Sequence, residues 1–260
     1  MVCCRLRGTR RPTLTGVPLT KPHDAVLGDI RETYAEHPGY RHWFWDWFAG
    51  ADLDLPALQQ FALMYYEHVL KFRLYVAGAL TVAPSEALQV AFAEILADEY
   101  GVHLAGHPAA DSHPEMFRKF MRSLELTEDD WSGGTPIPGV RYFFEAHFAM
   151  FRGGLVSESI GAVAFGMETT TPYRHGKVLE GLAHYESGSG ASLDTTFFSS
   201  HVDIDEHHST LLYDAAMPAI LQDVKGIVRG ARYSFDAREV FLDDLGSRLA
   251  LNANAESLAS

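Results

Sequence analysis

The 260-residue chain has only two cysteines, and they are neighbours, Cys3 and Cys4, at the amino terminus. Adjacent cysteines cannot close a useful loop, so we exclude a disulfide scaffold and expect a reducing compartment, the cytoplasm. No apolar run reaches the roughly 18–20 residues that a membrane-spanning helix needs. The first 23 residues are basic but lack the continuous apolar segment of a signal peptide, and we interpret them as a disordered tail.

Positive charge is also scarce. The chain has 21 Lys and Arg residues against 34 Asp and Glu residues, which gives a formal net charge of −13. A surface of this sign repels nucleic acids and anionic membranes, so we expect neither as a partner, whereas a cationic small-molecule substrate is compatible with it. Histidine, in contrast, is abundant at 13 residues, which a metal site or a proton-transfer site could use.

From residue 24 onward, segments with helical patterns are separated by Pro, Gly and Ser residues, and no strand-like alternation is sustained. Asp54 and Pro56 predict the start of a long helix, and Gly101 predicts the end of the helix that follows it. We therefore predict one all-α domain over residues 24–260, folded as a helix bundle. The aromatic stretch 41–48 belongs either to its core or to the face of a homodimer.

The stretch HVDIDEHH, residues 201–208, contains a metal-binding pattern. His201, Asp205 and His208 are four and three residues apart, so at about 100° per residue they share one face of a helix. Burying such a face is costly without a cation or a full set of hydrogen bonds. The alternative is a polar stripe at the surface; we favour ligand roles for all three residues.

One helix cannot saturate an iron or manganese site, so other segments must contribute carboxylates. Glu168 lies among small and apolar residues, where it would need a cation, although Arg174 or a backbone amide could satisfy it instead. Glu99 lies in the last helical turn before Gly101, where the helix dipole disfavours an anion and a bound cation would reverse that penalty. The alternative for Glu99 is a solvated position at the helix end.

His113 precedes an apolar run across the loop from Glu99, although His103 and His107 in that loop could compete with it as ligands. A site with several carboxylates and imidazoles suits two iron or manganese ions, whereas zinc prefers fewer ligands. The predicted ligands are Glu99, His113, Glu168, His201, Asp205 and His208.

The order of these residues resembles the haem-oxygenase-like diiron oxidases, relatives of pyrroloquinoline-quinone-synthase-like and thiaminase-II-like bundles. The resemblance covers roughly residues 40–225, and its most specific motifs are EYG at Glu99, SHPEMF at His113 and HVDIDEHH. It implies a haem-oxygenase-like bundle of about seven core helices, two Fe²⁺ ions, and O₂ activation through a peroxo-diferric intermediate. It also implies that electrons come from an external reductant, a redox partner or the substrate.

The same resemblance implies either N-oxygenation of an amine or oxidative C–C cleavage of an amino or fatty acid with alkene formation. N-oxygenating members are associated with an additional carboxylate from the early long helix. Glu67 is the candidate here, because leucines lie four residues before it and three and seven residues after it. If Glu67 binds metal, we expect an N-oxygenase that acts on a small amine, amino acid or heterocyclic amine in secondary metabolism. The alternative is an ion pair with Lys71 or Arg73 at the bundle surface.

Other functions remain open at this point. A thiaminase-II-like hydrolase needs a cysteine nucleophile, which the terminal Cys3 and Cys4 do not provide, and a storage protein would carry Glu-x-x-His on two helices. Tyr65, Tyr66 and His68 either tune the site or belong to the core. Four basic residues are candidates for holding a substrate carboxylate: Arg73, Arg152, Arg174 and Lys177.

Overall fold

The computed structural model describes residues 21–102, 111–134, 136–153 and 155–257, and of residues 21–24, 202–207 and 251–257 it describes the backbone alone. Every regular element in these ranges is helical, which confirms the all-α prediction. None of the helices in these ranges is long and apolar enough to cross a membrane. Residues 1–20 of the predicted tail lie outside the described part, and the first helix begins at Lys21 rather than after residue 23.

The described ranges form eleven α-helices, rather than the expected seven or so. They are α1 (Lys21–Tyr34), α2 (Trp43–Gly50), α3 (Leu55–Val82), α4 (Glu86–Glu99), α5 (His113–Ser123), α6 (Glu128–Ser132), α7 (Pro138–Gly153), α8 (Val156–Ala164), α9 (Thr171–Ser189), α10 (Thr196–Gln222) and α11 (Val224–Ser257). A short 3₁₀ turn, Glu168–Thr170, joins α8 to α9. The higher count arises because short helices such as α2 and α6 flank the long ones that form the bundle.

Side-chain caps fix the starts of the helices that lead into the site. The Asp54 carboxylate accepts a hydrogen bond from the Ala57 N–H at 2.8 Å, and Pro56 occupies the first turn of α3, as predicted. The Ser85 hydroxyl accepts a hydrogen bond from the Leu88 N–H at 3.3 Å at the start of α4. Each cap satisfies an N–H that has no partner within the helix, so the start of each helix is set by its own sequence.

The end of α4 is equally well defined. Gly101 has a φ of 65°, which glycine adopts without steric cost. Its N–H donates to the Asp98 carbonyl at 2.9 Å, and the Val102 N–H donates to the Ala97 carbonyl at 2.8 Å. This pair of bonds is a Schellman motif, and it places Glu99 in the last turn of the helix as the sequence predicted.

Helix α3 lies at the centre of the bundle and packs against α4, α5, α7, α8 and α11, while α10 packs against α4, α5 and α9. The aromatic stretch at α2 contributes mostly to the core, because Phe44, Trp45 and Phe48 are buried and Trp43 is 46% exposed. The packing therefore brings α3, α4, α5, α9 and α10 together around one interior region.

Helices α8 and α11 cross in direct backbone contact. A Cβ atom at Gly161 would lie 2.0 Å from the Ile227 carbonyl oxygen, and one at Gly230 would lie 1.8 Å from the Glu158 carbonyl oxygen. Only glycine permits this approach. Because Glu168 follows α8 directly, this crossing also fixes the position of that carboxylate.

Candidate metal centre

Three of the predicted ligands, Glu99, His113 and His201, form one buried group. Each offers a ligand atom, and these atoms all lie within 4.8 Å of one another. Glu99 ends α4, His113 begins α5 and His201 lies near the start of α10, so the three come from different helices. Their residue exposures are 3%, 3% and 7%. A carboxylate removed from water in this way is costly unless positive charge or hydrogen bonds compensate it.

Glu99 and His113 are in direct contact, with Glu99 Oε1 2.8 Å from His113 Nδ1. This distance suits a hydrogen bond. It also suits two ligands of one ion, since atoms about 2.1 Å from a metal and roughly 90° apart lie about 3.0 Å from each other. The His113 and His201 rings are close as well, with centroids 4.2 Å apart. A cation at this point would contact all three side chains with small adjustments.

The orientation of His201 is set by its own helix. Its Nδ1–H donates to the Phe197 carbonyl oxygen, one turn earlier in α10, at 2.5 Å. A carbonyl can only accept, so the proton is on Nδ1 and the Nε2 lone pair is available to a metal. Burial, with the nearby His113, holds the pKa of His201 well below its usual value. The imidazole is therefore neutral, which is the form that binds metals.

Glu168 and His208 lie beside this group. Glu168 is 2% exposed and lines the same cavity as Glu99, His113 and His201. His208 is also 2% exposed, and its Nε2 is 2.8 Å from Asp98 Oδ2. A carboxylate accepts, so this contact places the proton on Nε2. Burial lowers the pKa of His208, and the Asp98 carboxylate opposes that shift.

The remaining predicted ligand is Asp205, and the two residues that could compete with His113 are His103 and His107. The Asp205 side chain lies outside the described residues, as do His103 and His107. The backbone of residues 202–207 continues α10, so Asp205 keeps its helical spacing from His201 and His208. Its ligand role stays a prediction.

The buried group faces a cavity of about 40 Å³. Carboxylates and imidazoles form part of its wall and aromatic side chains form another part, so polar ligand atoms are held in a largely apolar surrounding. The lining residues are Tyr65, His68, Val69, Phe72, Glu99, His113, Glu168, Thr171, Arg174, His175, Phe197 and His201.

Glu67 does not line this cavity, contrary to the sequence-based expectation. Its Oε1 is 2.7 Å from Lys71 Nζ, and its side chain borders a different pocket, next to α6. Two of the three leucines that suggested a buried stripe are at the surface, since Leu63 is 37% and Leu74 43% exposed, while Leu70 is partly buried. The face of α3 that borders the cavity carries His68, the next residue in the chain. Glu67 therefore forms the ion pair with Lys71 that was the alternative to a ligand role.

Two further histidines enter the cavity wall, His68 and His175. Burial holds the pKa of each well below its usual value, with added effects of His201 on His175 and of Arg174 on His68. The Nδ1 atom of each ring has no hydrogen-bond partner among the described residues. The sequence predicted His68 as a residue that tunes the site or belongs to the core, and it gave no prediction for His175.

The spacing of α9 could have identified His175. Val178 and Leu182 follow it by three and seven residues, and both are buried. Residues at this spacing share one helix face, so His175 lies on the apolar side of α9. Its ring centroid is 5.0 Å from that of His201.

Among the four candidate anchors, Arg174 alone lines the cavity. The Arg73 guanidinium lies 4.7 Å from the centre of the Tyr100 ring. Arg152 is exposed, and Lys177 pairs with surface carboxylates of Asp46 and Glu180. These three residues are therefore outside the site.

Two other histidine environments are not part of the site. His147 is fully buried, with Nδ1 2.7 Å from the Phe143 carbonyl oxygen and Nε2 2.8 Å from the Ser234 hydroxyl, so both nitrogens are used. Burial lowers its pKa to about 3. At the surface, His37 lies with Asp236 and Glu239 in a second group of metal-type ligands.

That surface group is a weaker candidate because His37 is occupied. The Gly39 N–H donates to its Nδ1 at 3.0 Å, and its Nε2 is 3.1 Å from Asp236 Oδ1. Exposed acidic groups of this kind gain little from a cation, since water already solvates them.

The chain belongs to a family described as iron-containing redox enzymes, whose model matches residues 59–239. The match spans α3 to α11 and thus every helix that contributes to the buried group. No curated protein is significantly similar to the chain in sequence. The family identifies the chain as an iron-containing oxidoreductase, and the buried carboxylate and imidazole donors fit iron, which binds both ligand types.

Solved structures with the same haem-oxygenase-like fold come from several bacteria. A CADD-like protein of unknown function from Nostoc punctiforme has a TM-score of 0.69 and 14% identity, over 87% of this chain and 98% of that one. A TenA homologue from Pseudomonas syringae has a TM-score of 0.64 and 13% identity, over 85% and 92%. A domain of unknown function with a heme oxygenase-like fold from Shewanella denitrificans has a TM-score of 0.62 and 16% identity, over 91% and 95%. At these identities the likeness establishes the fold alone.

Proposed function

We propose that this iron-containing redox enzyme is a non-haem oxygenase that holds two iron ions, consumes O₂ and N-oxygenates a small amine, amino acid or heterocyclic amine. The observation that carries the proposal is the buried group of Glu99, His113 and His201, with Glu168 on the same cavity. When bound, iron(II) supplies the electrons and open coordination positions that O₂ reduction requires.

The protein side chains would divide this work. Glu99 and Glu168 bring negative charge, which stabilises oxidised iron, and His113 and His201 contribute imidazoles. Asp98 orients His208 through its Nε2–H, the kind of outer contact that fixes a metal-binding imidazole. With Asp205, the two glutamates and the three histidines would provide six ligand residues, enough to hold two iron ions.

The cavity would also exclude bulk water. Its volume of about 40 Å³ exceeds the roughly 10–15 Å³ that the centre of one bound water needs, so it admits small molecules but not bulk solvent. The rings of Tyr65, Phe72 and Phe197 close part of its wall. A small, largely apolar chamber favours O₂ over water and protects a reactive site from side reactions.

Two buried guanidiniums favour an amine as the group that reacts. Arg174 and Arg238 are 4% and 2% exposed, and a positive charge nearby lowers the pKa of a bound ammonium group. N-oxygenation requires the neutral amine, because its nitrogen lone pair forms the new N–O bond. In the balanced reaction, one oxygen atom joins the nitrogen and the other leaves as water, with two electrons and two protons from an external reductant.

Oxidative C–C cleavage of an amino or fatty acid is the second candidate. The observation that favours it is the position of Glu67, whose carboxylate pairs with Lys71 instead of joining the cavity. The additional carboxylate associated with N-oxygenation is therefore not supplied by this residue.

One assay tests both candidates. Iron(II)-loaded protein is mixed with O₂ and a panel of amines, amino acids and fatty acids, with and without ascorbate, and products are identified by mass spectrometry. N-oxygenation gives a product with one more oxygen atom, whereas cleavage gives a product that has lost carbon. The ascorbate arms show whether an external reductant is needed. O₂ consumption that is the same with and without the iron-loaded protein would contradict both.

A further inference from the structure

Two arginines near the metal centre, Arg174 and Arg238, are almost fully buried. No ion pair to Arg174 or Arg238 exists within 4.0 Å in the part of the chain that the structure describes, although both residues are almost fully buried. The guanidinium group keeps its charge at any physiological pH, so burial without a counter-ion is costly. Arg238 donates a hydrogen bond to the Thr170 hydroxyl, whereas Arg174 reaches the cavity.

The hydrogen bonds of Arg174 do not use all of its N–H donors. Its Nη1 donates to the Tyr65 hydroxyl at 3.2 Å, and its Nη2 donates to the Thr171 hydroxyl at 2.7 Å. Its buried Nε–H has no hydrogen-bond partner among the residues that the structure describes. Both hydrogen-bond partners of Arg174 among the described residues are neutral hydroxyls, so these bonds orient the guanidinium without neutralising it. A rigid, charged and partly unsatisfied guanidinium at a cavity wall is suited to bind an anion.

We propose that Arg174 is an anion-binding site inside the metal cavity and that it binds the carboxylate of the substrate. The substrate is then an amino acid or another amine that carries a carboxylate. This assignment of the substrate rests on the proposed function. The anion site itself does not, because Arg174 is present whether or not iron is bound.

The charge distribution of the cavity gives the substrate one orientation. The carboxyl groups of Glu99 and Glu168 offer nothing that attracts a second carboxylate, whereas the Arg174 guanidinium attracts it. The guanidinium presents N–H donors in a planar fork that matches the two oxygens of a carboxylate. A bound acid would therefore keep its carboxylate at Arg174 and direct the rest of the molecule elsewhere in the cavity.

The test uses acetate as the probe and the full-length chain, first without metal and then with iron(II). Isothermal titration calorimetry measures the dissociation constant for acetate and for acetamide, its neutral isostere. We expect acetate to bind the metal-free protein at least 10-fold more tightly than acetamide. Arg174→Gln should weaken acetate binding at least 10-fold, and Arg174→Lys should retain part of it.

Arg152→Gln is the matched control, because Arg152 is an exposed arginine outside the cavity and its loss should leave acetate binding unchanged. The comparison of acetate with acetamide needs no variant, so it tests the proposal even if Arg174→Gln does not fold. Equal binding of the two by the unaltered protein would overturn the proposal. Acetate binding that requires iron and survives Arg174→Gln would also overturn it, since the acid would then be an iron ligand.

A separate experiment tests the proposed substrate class. In the oxygenation assay, each amino acid is compared with its methyl ester, which keeps the amine and removes the negative charge. We expect turnover of the acid with a KM at least 10-fold below that of the ester, and we expect Arg174→Gln to abolish this difference. An ester used as well as its acid would overturn the substrate class. Loss of iron binding would contradict the proposed function but leave the metal-free acetate result intact.

Discussion

Glu67 and Lys71 form an ion pair on the outer side of α3, with Oε1 2.7 Å from Nζ. At about 100° per residue, Glu67 lies about 150° around the helix axis from the centre of the face that borders the cavity. That face carries Tyr65, His68, Val69 and Phe72. The carboxylate is thus directed away from the other ligand candidates by the rotation of one helix.

Replacing Glu67 should therefore leave the metal centre intact. We expect Glu67→Gln to bind iron(II) with unchanged stoichiometry and affinity, and to lose less than about 0.5 kcal/mol of stability through its i,i+4 ion pair. Anaerobic iron titration and urea denaturation measure these quantities. Glu99→Gln is the comparison, since Glu99 contacts His113 and its loss should weaken iron binding strongly. An equal loss of iron in both variants would restore Glu67 as a ligand.

The iron stoichiometry of variants distinguishes a metal site at the buried group of Glu99, His113 and His201 from one at the surface group that contains His37. We expect the chain to bind about two equivalents of iron(II) under anaerobic conditions. His201→Ala should lose at least one equivalent, because His201 contributes the Nε2 lone pair that its bond to Phe197 leaves available. His37→Ala, at the surface, is the control and should bind as the unaltered protein does. Loss of iron in His37→Ala alone would place the metal at the surface.

Iron should also stabilise the fold, because ligands from α4, α5 and α10 meet only in the folded state. At a free iron concentration 100 times the dissociation constant, binding adds about 2.7 kcal/mol to the free energy of unfolding. A chelator should therefore lower the Tm of the iron-loaded protein, and His201→Ala should show a smaller decrease. An unchanged Tm in both proteins would contradict a site built from separate helices.

We expect the crossing of α8 and α11 to control the position of the Glu168 carboxylate. In Gly161→Ala the new Cβ atom would lie 2.0 Å from the Ile227 carbonyl oxygen, so the helices must separate. We expect a loss of about 1–3 kcal/mol or more in urea denaturation, with weaker iron binding. Gly176→Ala on α9 meets nothing within 4 Å and should gain up to about 1 kcal/mol. Similar stability of the two variants would refute the close crossing.

The buried histidines should make the folded protein less stable in acid. Burial lowers the pKa of His147 to about 3, from a usual value of 6.5. Between these values the unfolded chain binds a proton that the folded chain excludes, so the free energy of unfolding falls as the pH falls below about 6.5. His147 alone contributes about 1.4 kcal/mol per pH unit in this window.

Urea denaturation of the metal-free protein between pH 7.5 and pH 5 measures this slope. His147→Gln should reduce the slope by about one proton, because the residue that excludes a proton is gone. A slope that is the same in His147→Gln and the unaltered chain would contradict the prediction.

The sequence by itself determined the helices and most of the ligand types. Caps at Asp54 and Ser85, the glycine at 101 and the spacing of His201 and His208 act over a few residues, so local patterns predict them. The family resemblance added the fold and the order of the ligands along the chain, and the comparisons confirm both the fold and the iron-containing family.

Only the tertiary structure decided which face of each helix meets the cavity. Helix α3 carries apolar residues on several sides, so its sequence does not show whether Glu67 or the adjacent His68 turns inward, and one residue is a rotation of about 100°. Packing against α4, α5 and α7 selects the His68 side. The same packing brings His175 and Arg174 of α9 to the cavity, because their burial depends on neighbours that are distant in the chain.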